Sequence, residues 1–389
     1  MKSEFALSSH GEIPVIYTAA HGHFPDGMPL GGGKAVADYL CRELPSWQVL
    51  SPRTVGLMDA DPQRSLALHE WNEWRYARFC REFERAITNT IMKYEPTGCV
   101  VVSNDISEGP DFDVLGRRGY RLVSIWHVDV VEYFTKFYLR GLVQPQTAAR
   151  WSRYRWLPDV LRLVFHKQAD CVRWSRRLVV PSEPMRAVIE RCYGAEAAGK
   201  VVVVPWGNIT APCEATLQVN PCPDDGVVTI ITLSRLSPEK GIDRLLRALR
   251  YVRADRYRVW ICGAPAYMRG RRYERKLRRM AAGLPVEFLG HVTGEQKAAI
   301  LYRADVFVSP SRHESYGLTI AEAEAAGCRV ISSCHYGARG RVVNCDDALA
   351  LARALDEEIS QGRQVKTFCP AASDAAARLA AIVETVAQE

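Results

Sequence analysis

The chain has no Cys-x-x-Cys pair, no apolar run approaching the ~20 residues that span a bilayer, and no large excess of either charge. Each lack excludes something. Twelve cysteines are scattered from Cys41 to Cys369, and the closest pairs, Cys328 with Cys334 and Cys213 with Cys222, are spaced too widely for a zinc ribbon or a redox motif. Reduced thiols are expected. Residues 1–20 carry Glu4, His10 and Glu12 and lack the basic start and long apolar stretch of a secretory signal, so a cytoplasmic location is expected. The turn Gly31-Gly32-Gly33-Lys34 lacks Gly-x-Gly-x-x-Gly spacing and the lysine placement of a P-loop, which argues against dinucleotide or ATP binding. An oxidoreductase built on a nucleotide-binding sheet loses its main support.

What is present describes a soluble globular chain of two domains. Its 389 residues are long for one core, and 48% hydrophobic against 24% charged residues is too apolar for disorder. Apolar runs read as strands at 13–20, 47–51, 98–103, 120–126, 178–182 and 201–205, with helices at 35–44, 66–93, 154–174 and 183–193. Residues 208–226, rich in Pro, Asn, Asp and Cys, read as a linker. Beyond it, strands at 227–234, 257–263, 286–290, 304–308 and 330–332 alternate with helices at 241–252, 267–282, 294–303 and 318–326, and helices at 347–359 and 371–388 close the chain. Such alternation predicts parallel sheets covered on both sides. The expected units are an N-terminal domain (1–207), a linker (208–226), a C-terminal domain (227–370) and a last helix (371–389).

The net charge of +7 is modest but uneven. Residues 269–279 read as a solvated basic helix face, while 136–177 mix Lys and Arg with Trp151, Tyr154, Trp156, Phe165 and Trp174. Such a face suits anionic substrates or an anionic membrane surface. No nucleic-acid partner is expected.

The chain is organised around residues 309–333, where a buried strand ends in a polar loop, Gly317 lets the loop bend, and a helix runs from Leu318 to Ala326 with Gly327 as its C-terminal stop. A helix N-terminus beside the carboxyl ends of strands attracts phosphates. Glu314 and Glu322 border it, able to accept hydrogen bonds from sugar and ribose hydroxyls. In Asn104 to Asp113 the loop beyond a buried strand makes Asn104 and Glu108 candidates for an acceptor wall, and His23 and Asp129, also in loops after strands, join them. Asp59-Ala-Asp61 and Asp111-Phe-Asp113 match a bare Asp-x-Asp metal pattern that arises by chance. No essential metal and no cofactor are expected.

The run Glu314-Ser-Tyr316-Gly317-Leu318 followed by Glu322-Ala-x-Ala-x-Gly resembles the Glu-x7-Glu signature of glycosyltransferase family 4, retaining enzymes of the GT-B fold, two Rossmann-like domains facing each other across a cleft. Upstream, Ser234-Arg235 to Lys240-Gly241 is similar to that family's phosphate clamp, and Phe288-Leu-Gly-His291-Val292 to its base-binding loop. The resemblance is strong over 230–333. It implies transfer of a hexose from a nucleoside diphosphate sugar, UDP favoured and GDP next, to a sugar or lipid-linked acceptor. Arg235 and Lys240 would neutralise the diphosphate, and backbone N–H groups at Tyr316, Gly317, Leu318 and Thr319 would add hydrogen bonds. Glu322 would hold the ribose, Glu314 the transferred sugar, and Gly32, Gly33, His291 and Val292 the rest of the donor. His127, at the tip of strand 120–126, would stabilise the sugar from the opposite domain.

Departures from that family stand at Arg329, in place of a proline, and at His335-Tyr336-Gly337, in place of a Gly-Gly turn and a later glutamate. They bear on donor-sugar preference more than on fold. A soluble small-molecule acceptor is the alternative to a glycolipid, and a non-catalytic sugar-nucleotide-binding scaffold is the rival from another class.

Overall fold

The computed structural model describes residues 13–21, 31–57, 73–154, 156–209, 225–265, 270–363, 366 and 373–389. Valine-rich segments form β1 (Val15–Thr18), β2 (Gln48–Leu50), β3 (Val100–Ser103), β4 (Arg121–Ile125), β5 (Arg177–Val180) and β6 (Val201–Val203). They pair in parallel in the order β2-β1-β3-β4-β5-β6. A second parallel sheet holds β7 (Val228–Leu233), β8 (Tyr257–Cys262), β9 (Val286–Gly290), β10 (Val306–Ser309), β11 (Arg329–Ser332) and β12 (Arg341–Val342), ordered β12-β11-β10-β7-β8-β9.

Side-chain alternation along each strand feeds two apolar layers, one on each face of the sheet. In the first sheet Val101, Leu122, Leu178 and Val180 pack on helices α2 (Glu73–Ile91), α3 (Phe112–Arg117), α6 (Asp159–Trp174) and α7 (Glu183–Tyr193). Val100, Val102, Val123 and Val179 face the other way, onto α1 (Gly32–Glu43) and the last helix, α13 (Ala375–Gln388). In the second sheet Ile230, Val259, Val306 and Ile331 meet α8 (Ile242–Ala248), α9 (Gly270–Ala281) and α12 (Ala348–Ser360), while Ile231, Phe307 and Val330 meet α10 (Gly294–Arg303) and α11 (Leu318–Ala325). Tyr316 and Ala321 of the second half belong to the core of the first, so the halves share one apolar junction.

Some local expectations shift. The single helical stretch expected at 154–174 begins only at Asp159, because Pro158 occupies its N-cap. Ahead of it lie α4 (Val130–Phe137) and α5 (Pro145–Ala149), which short length and weak periodicity hid. Helix α3 and edge strand β12 were also not anticipated. Asp59, Asp61 and residues 210–224 of the expected linker lie outside the described residues. Among the described residues no helix is long and apolar enough to cross a membrane.

Candidate active site

Loops after the strands of the two sheets meet across a crevice. Arg235 follows β7, and a Cβ added at Gly31, the N-cap of α1, would lie 3.4 Å from its Nε. The glycine permits that approach, with φ at +86°. At Gly32 a Cβ would lie 3.4 Å from Leu318 Cδ1, which brings the start of α1 against the start of α11. Three cross-domain bonds complete the contact: Ser182 Oγ donates to Ser315 O at 3.1 Å, Gly207 N–H donates to Tyr316 Oη at 2.6 Å, and Tyr336 Oη donates to Glu132.

Within the second domain, Lys240 Nζ donates to Glu314 Oε2 at 2.6 Å. Burial works against the Glu314 charge, but Lys240 outweighs it and holds the carboxyl below its usual range. Arg235 Nη2 lies 3.6 Å from Glu239. The loop carrying these cations is fixed by Gly241, at φ +63°, where a Cβ would come within 2.1 Å of Pro310 O. Eight positions beyond Glu314, Glu322 is buried on α11 and accepts from Lys297 Nζ at 2.7 Å. Gly317 caps α11 at φ +78°, and Thr319 lies half-buried in its first turn. Tyr316 turns its ring into the interdomain junction, under the guanidinium of Arg339 at 4.6 Å. After β9, His291 is exposed and Val292 joins the core.

The first domain contributes His127 after β4. It is half-buried, its Nε2 is shielded from solvent with no hydrogen-bond partner, and desolvation lowers its pKa. Gly33 sits beside it: an added Cβ would lie 3.7 Å from His127 Cδ2, 3.8 Å from His21 Cδ2 and 3.4 Å from Asp105 Oδ1. His21, buried at the end of β1, lies 3.7 Å from Glu108; burial opposes its charge, yet Glu108 and Asp105 raise its pKa. Asn104 is fully buried and accepts from Tyr17 Oη at 2.7 Å.

The structure thus groups Gly32, Gly33, Arg235, Lys240, Glu314 and Leu318 along one crevice, with His127 beside Gly33. Asp129 is used inside the fold instead. One oxygen caps α4 by accepting from Glu132 N–H at 2.7 Å, and the other accepts from Gln168 Nε2 at 3.2 Å. Burial pushes its pKa up to about 6. Asp111 caps α3, and Asp113 accepts from Trp174 Nε1 and Arg117 Nε. His23 lies outside the described residues. Sequence reading missed Lys297, whose partner is 25 positions away on another helix, and passed over His21 as a site residue, although a histidine at a strand tip was a usable signal.

Residues 227–361 match the family described as "Glycosyl transferases group 1". A D-inositol 3-phosphate glycosyltransferase of Geodermatophilus obscurus is 35% identical over 199 residues, covering 48% of this chain and 44% of that protein. A phosphatidyl-myo-inositol mannosyltransferase of Mycobacterium leprae is 34% identical over 182 residues, 43% and 46% of the two chains. This chain therefore spans less than half the length of either relative. The structure of Anabaena HepE in complex with UDP-glucose superposes with a TM-score of 0.60 at 17% identity, covering 97% of this chain and 98% of that one. With two parallel Rossmann-like sheets opposed at their strand ends, the chain has the GT-B fold.

Proposed function

We propose that this protein is a retaining glycosyltransferase of family 4, moving a hexose from a nucleoside diphosphate sugar to a hydroxyl acceptor. The observation that carries the reading is the Lys240–Glu314 contact at 2.6 Å on the crevice that Arg235 and Gly31 line from opposite sides. Cleaving the anomeric C–O bond loads negative charge onto the departing diphosphate. Arg235 and Lys240 neutralise that charge, and N–H groups at the start of α11 add hydrogen bonds. The acceptor oxygen attacks the face the diphosphate leaves, forming the new C–O bond, and its proton passes to the leaving phosphate. Glu314 holds hydroxyls of the sugar, Glu322 the ribose, and His127 faces the sugar from the other domain. Two cations in this role make a metal unnecessary, so turnover unchanged by EDTA is the expected result, and loss restored by magnesium would contradict it.

A lipid-linked acceptor is favoured by the surface next to the crevice. Tyr138, Leu142, Tyr154 and Trp156 are exposed beside exposed Arg140, Arg150 and Arg153, and the Mycobacterium leprae relative is named for a phosphatidylinositol substrate. Aromatic and aliphatic side chains beside arginines suit an anionic bilayer. UDP is the favoured base, and HepE is solved with UDP-glucose. The test is a donor screen with purified protein, reading product by mass and its anomeric configuration by NMR. Transfer with retained configuration supports the reading, and absence of both transfer and donor hydrolysis across UDP- and GDP-sugars overturns it. Sedimentation with phosphatidylglycerol vesicles but not phosphatidylcholine vesicles is expected, and equal behaviour with both would remove the membrane argument.

A further inference from the structure

Two histidines flank the Lys240–Glu314 pair, and the reaction just described uses neither. His313 immediately precedes Glu314 and is 7% exposed, with its ring centroid 5.9 Å from Tyr133, 6.1 Å from Phe137 and 6.0 Å from Tyr336. Three aromatic walls hold the ring, and its Nε2 is buried with no hydrogen-bond partner. His335 stands two residues before Gly337, whose N–H donates to the Glu314 carbonyl at 3.0 Å, so its loop is tied directly to the glutamate. Both of its ring nitrogens are buried and without a hydrogen-bond partner. Unmade hydrogen bonds at three ring nitrogens beside one carboxylate would cost stability unless something else satisfies them.

The surroundings narrow what that something is. Lys240 from the second domain and Lys136 from α4 of the first both act electrostatically on these rings, and burial holds each imidazole down to about 4. Both are therefore neutral at physiological pH. A neutral imidazole donates through one nitrogen and accepts through the other, and a hydroxyl, itself both donor and acceptor, can pair with either. Tyr336, next in the chain to His335, is bonded to Glu132 of the first domain, so the loop carrying His335 touches both domains.

We propose that His335, together with His313, is the specificity-determining group for the transferred sugar, exchanging hydrogen bonds with hydroxyls of the hexose that Glu314 holds. The proposal rests on the donor reading above and adds the residues that choose among hexoses. Glu314 alone accepts hydrogen bonds and tells one hydroxyl configuration from another weakly. A donor-acceptor imidazole on either side fixes where each hydroxyl must point, and an epimer leaves a buried nitrogen unpaired.

The test compares wild type, His335→Ala, His335→Gln and His313→Asn with UDP-glucose, UDP-galactose and GDP-mannose, alongside titration of free UDP and GDP. In His335→Ala, KM for the preferred donor rises about ten-fold and the ratio of kcat/KM between epimeric donors collapses toward one, while affinity for the free nucleoside diphosphate stays within two-fold. His335→Gln, which keeps a donor and an acceptor, recovers part of the ratio. Unchanged KM and unchanged donor ratios in His335→Ala, with free nucleotide still bound, overturn the proposal and leave the glycosyltransferase reading intact. Wild-type protein that binds no nucleoside diphosphate or nucleotide sugar overturns both. If His335→Ala does not fold, His335→Gln and His313→Asn carry the comparison, and wild-type donor ratios in both overturn the proposal.

Discussion

Lys240 and Glu314 show how one ion pair can serve a binding site. Half-buried charges this close neutralise each other; in the proposed reaction a diphosphate would compete for the ammonium while sugar hydroxyls would take up the carboxylate. Lys240→Ala is expected to lower kcat/KM at least 100-fold with a melting temperature near wild type; near-normal turnover would refute its role. Titration of the histidines offers a second check. Native His313 resists protonation down to about pH 4, whereas an unfolded histidine protonates near 6.5, so between these values stability drains as pH falls, by up to ~1.4 kcal/mol per pH unit. Asp129 and Asp170, raised by burial to about 6, work in the opposite sense over about the same range. The difference between two proteins isolates the histidine. His313→Gln should lose less stability than wild type between pH 6.5 and 4.5, and parallel denaturation curves would contradict this. Asp129 is testable by stability alone: Asp129→Ala removes a helix cap and strands Gln168, costing ~1–3 kcal/mol in urea denaturation, and Asp129→Asn costs less.

At the level of elements, the loops matter because the strands aim them. Gly241 joins the Lys240 turn to α8 in a left-handed conformation that brings it against Pro310 of the loop carrying Glu314. Gly241→Ala must push these two loops apart, so activity should fall more than ten-fold with a stability loss of ~1–3 kcal/mol. Wild-type kinetics in a folded variant would show that the loops tolerate separation. Strands were readable because alternating Val and Ile at both sheets serve two buried faces, as at Val100, Val101 and Val102. The Glu314 to Gly327 run was readable because its chemistry is contiguous in sequence. Lys297 on Glu322, Tyr336 on Glu132 and Gly207 on Tyr316 were not, since each joins residues 25 to 204 positions apart and depends on how whole elements pack. The short helices α4 and α5 escaped for a related reason: caps and neighbours stabilise them more than their own periodicity does.

The whole molecule is two parallel sheets whose strand ends face one crevice, tied by a core in which Tyr316 and Ala321 of the second domain meet α13, which packs on α1, β3 and β4 of the first. Leu379, Val383 and Val386 are buried there, each contributing ~1.5–3 kcal/mol by leaving water. This brace holds the two sides of the crevice together. The central claim is that Arg235 and Lys240 grip a diphosphate between the domains, and calorimetric titration of UDP and GDP into wild type and the Arg235→Ala/Lys240→Ala double variant tests it most directly. The account predicts saturable binding of at least one nucleoside diphosphate to the wild type and at least 100-fold weaker binding to the variant; equal affinity in the two proteins would contradict it.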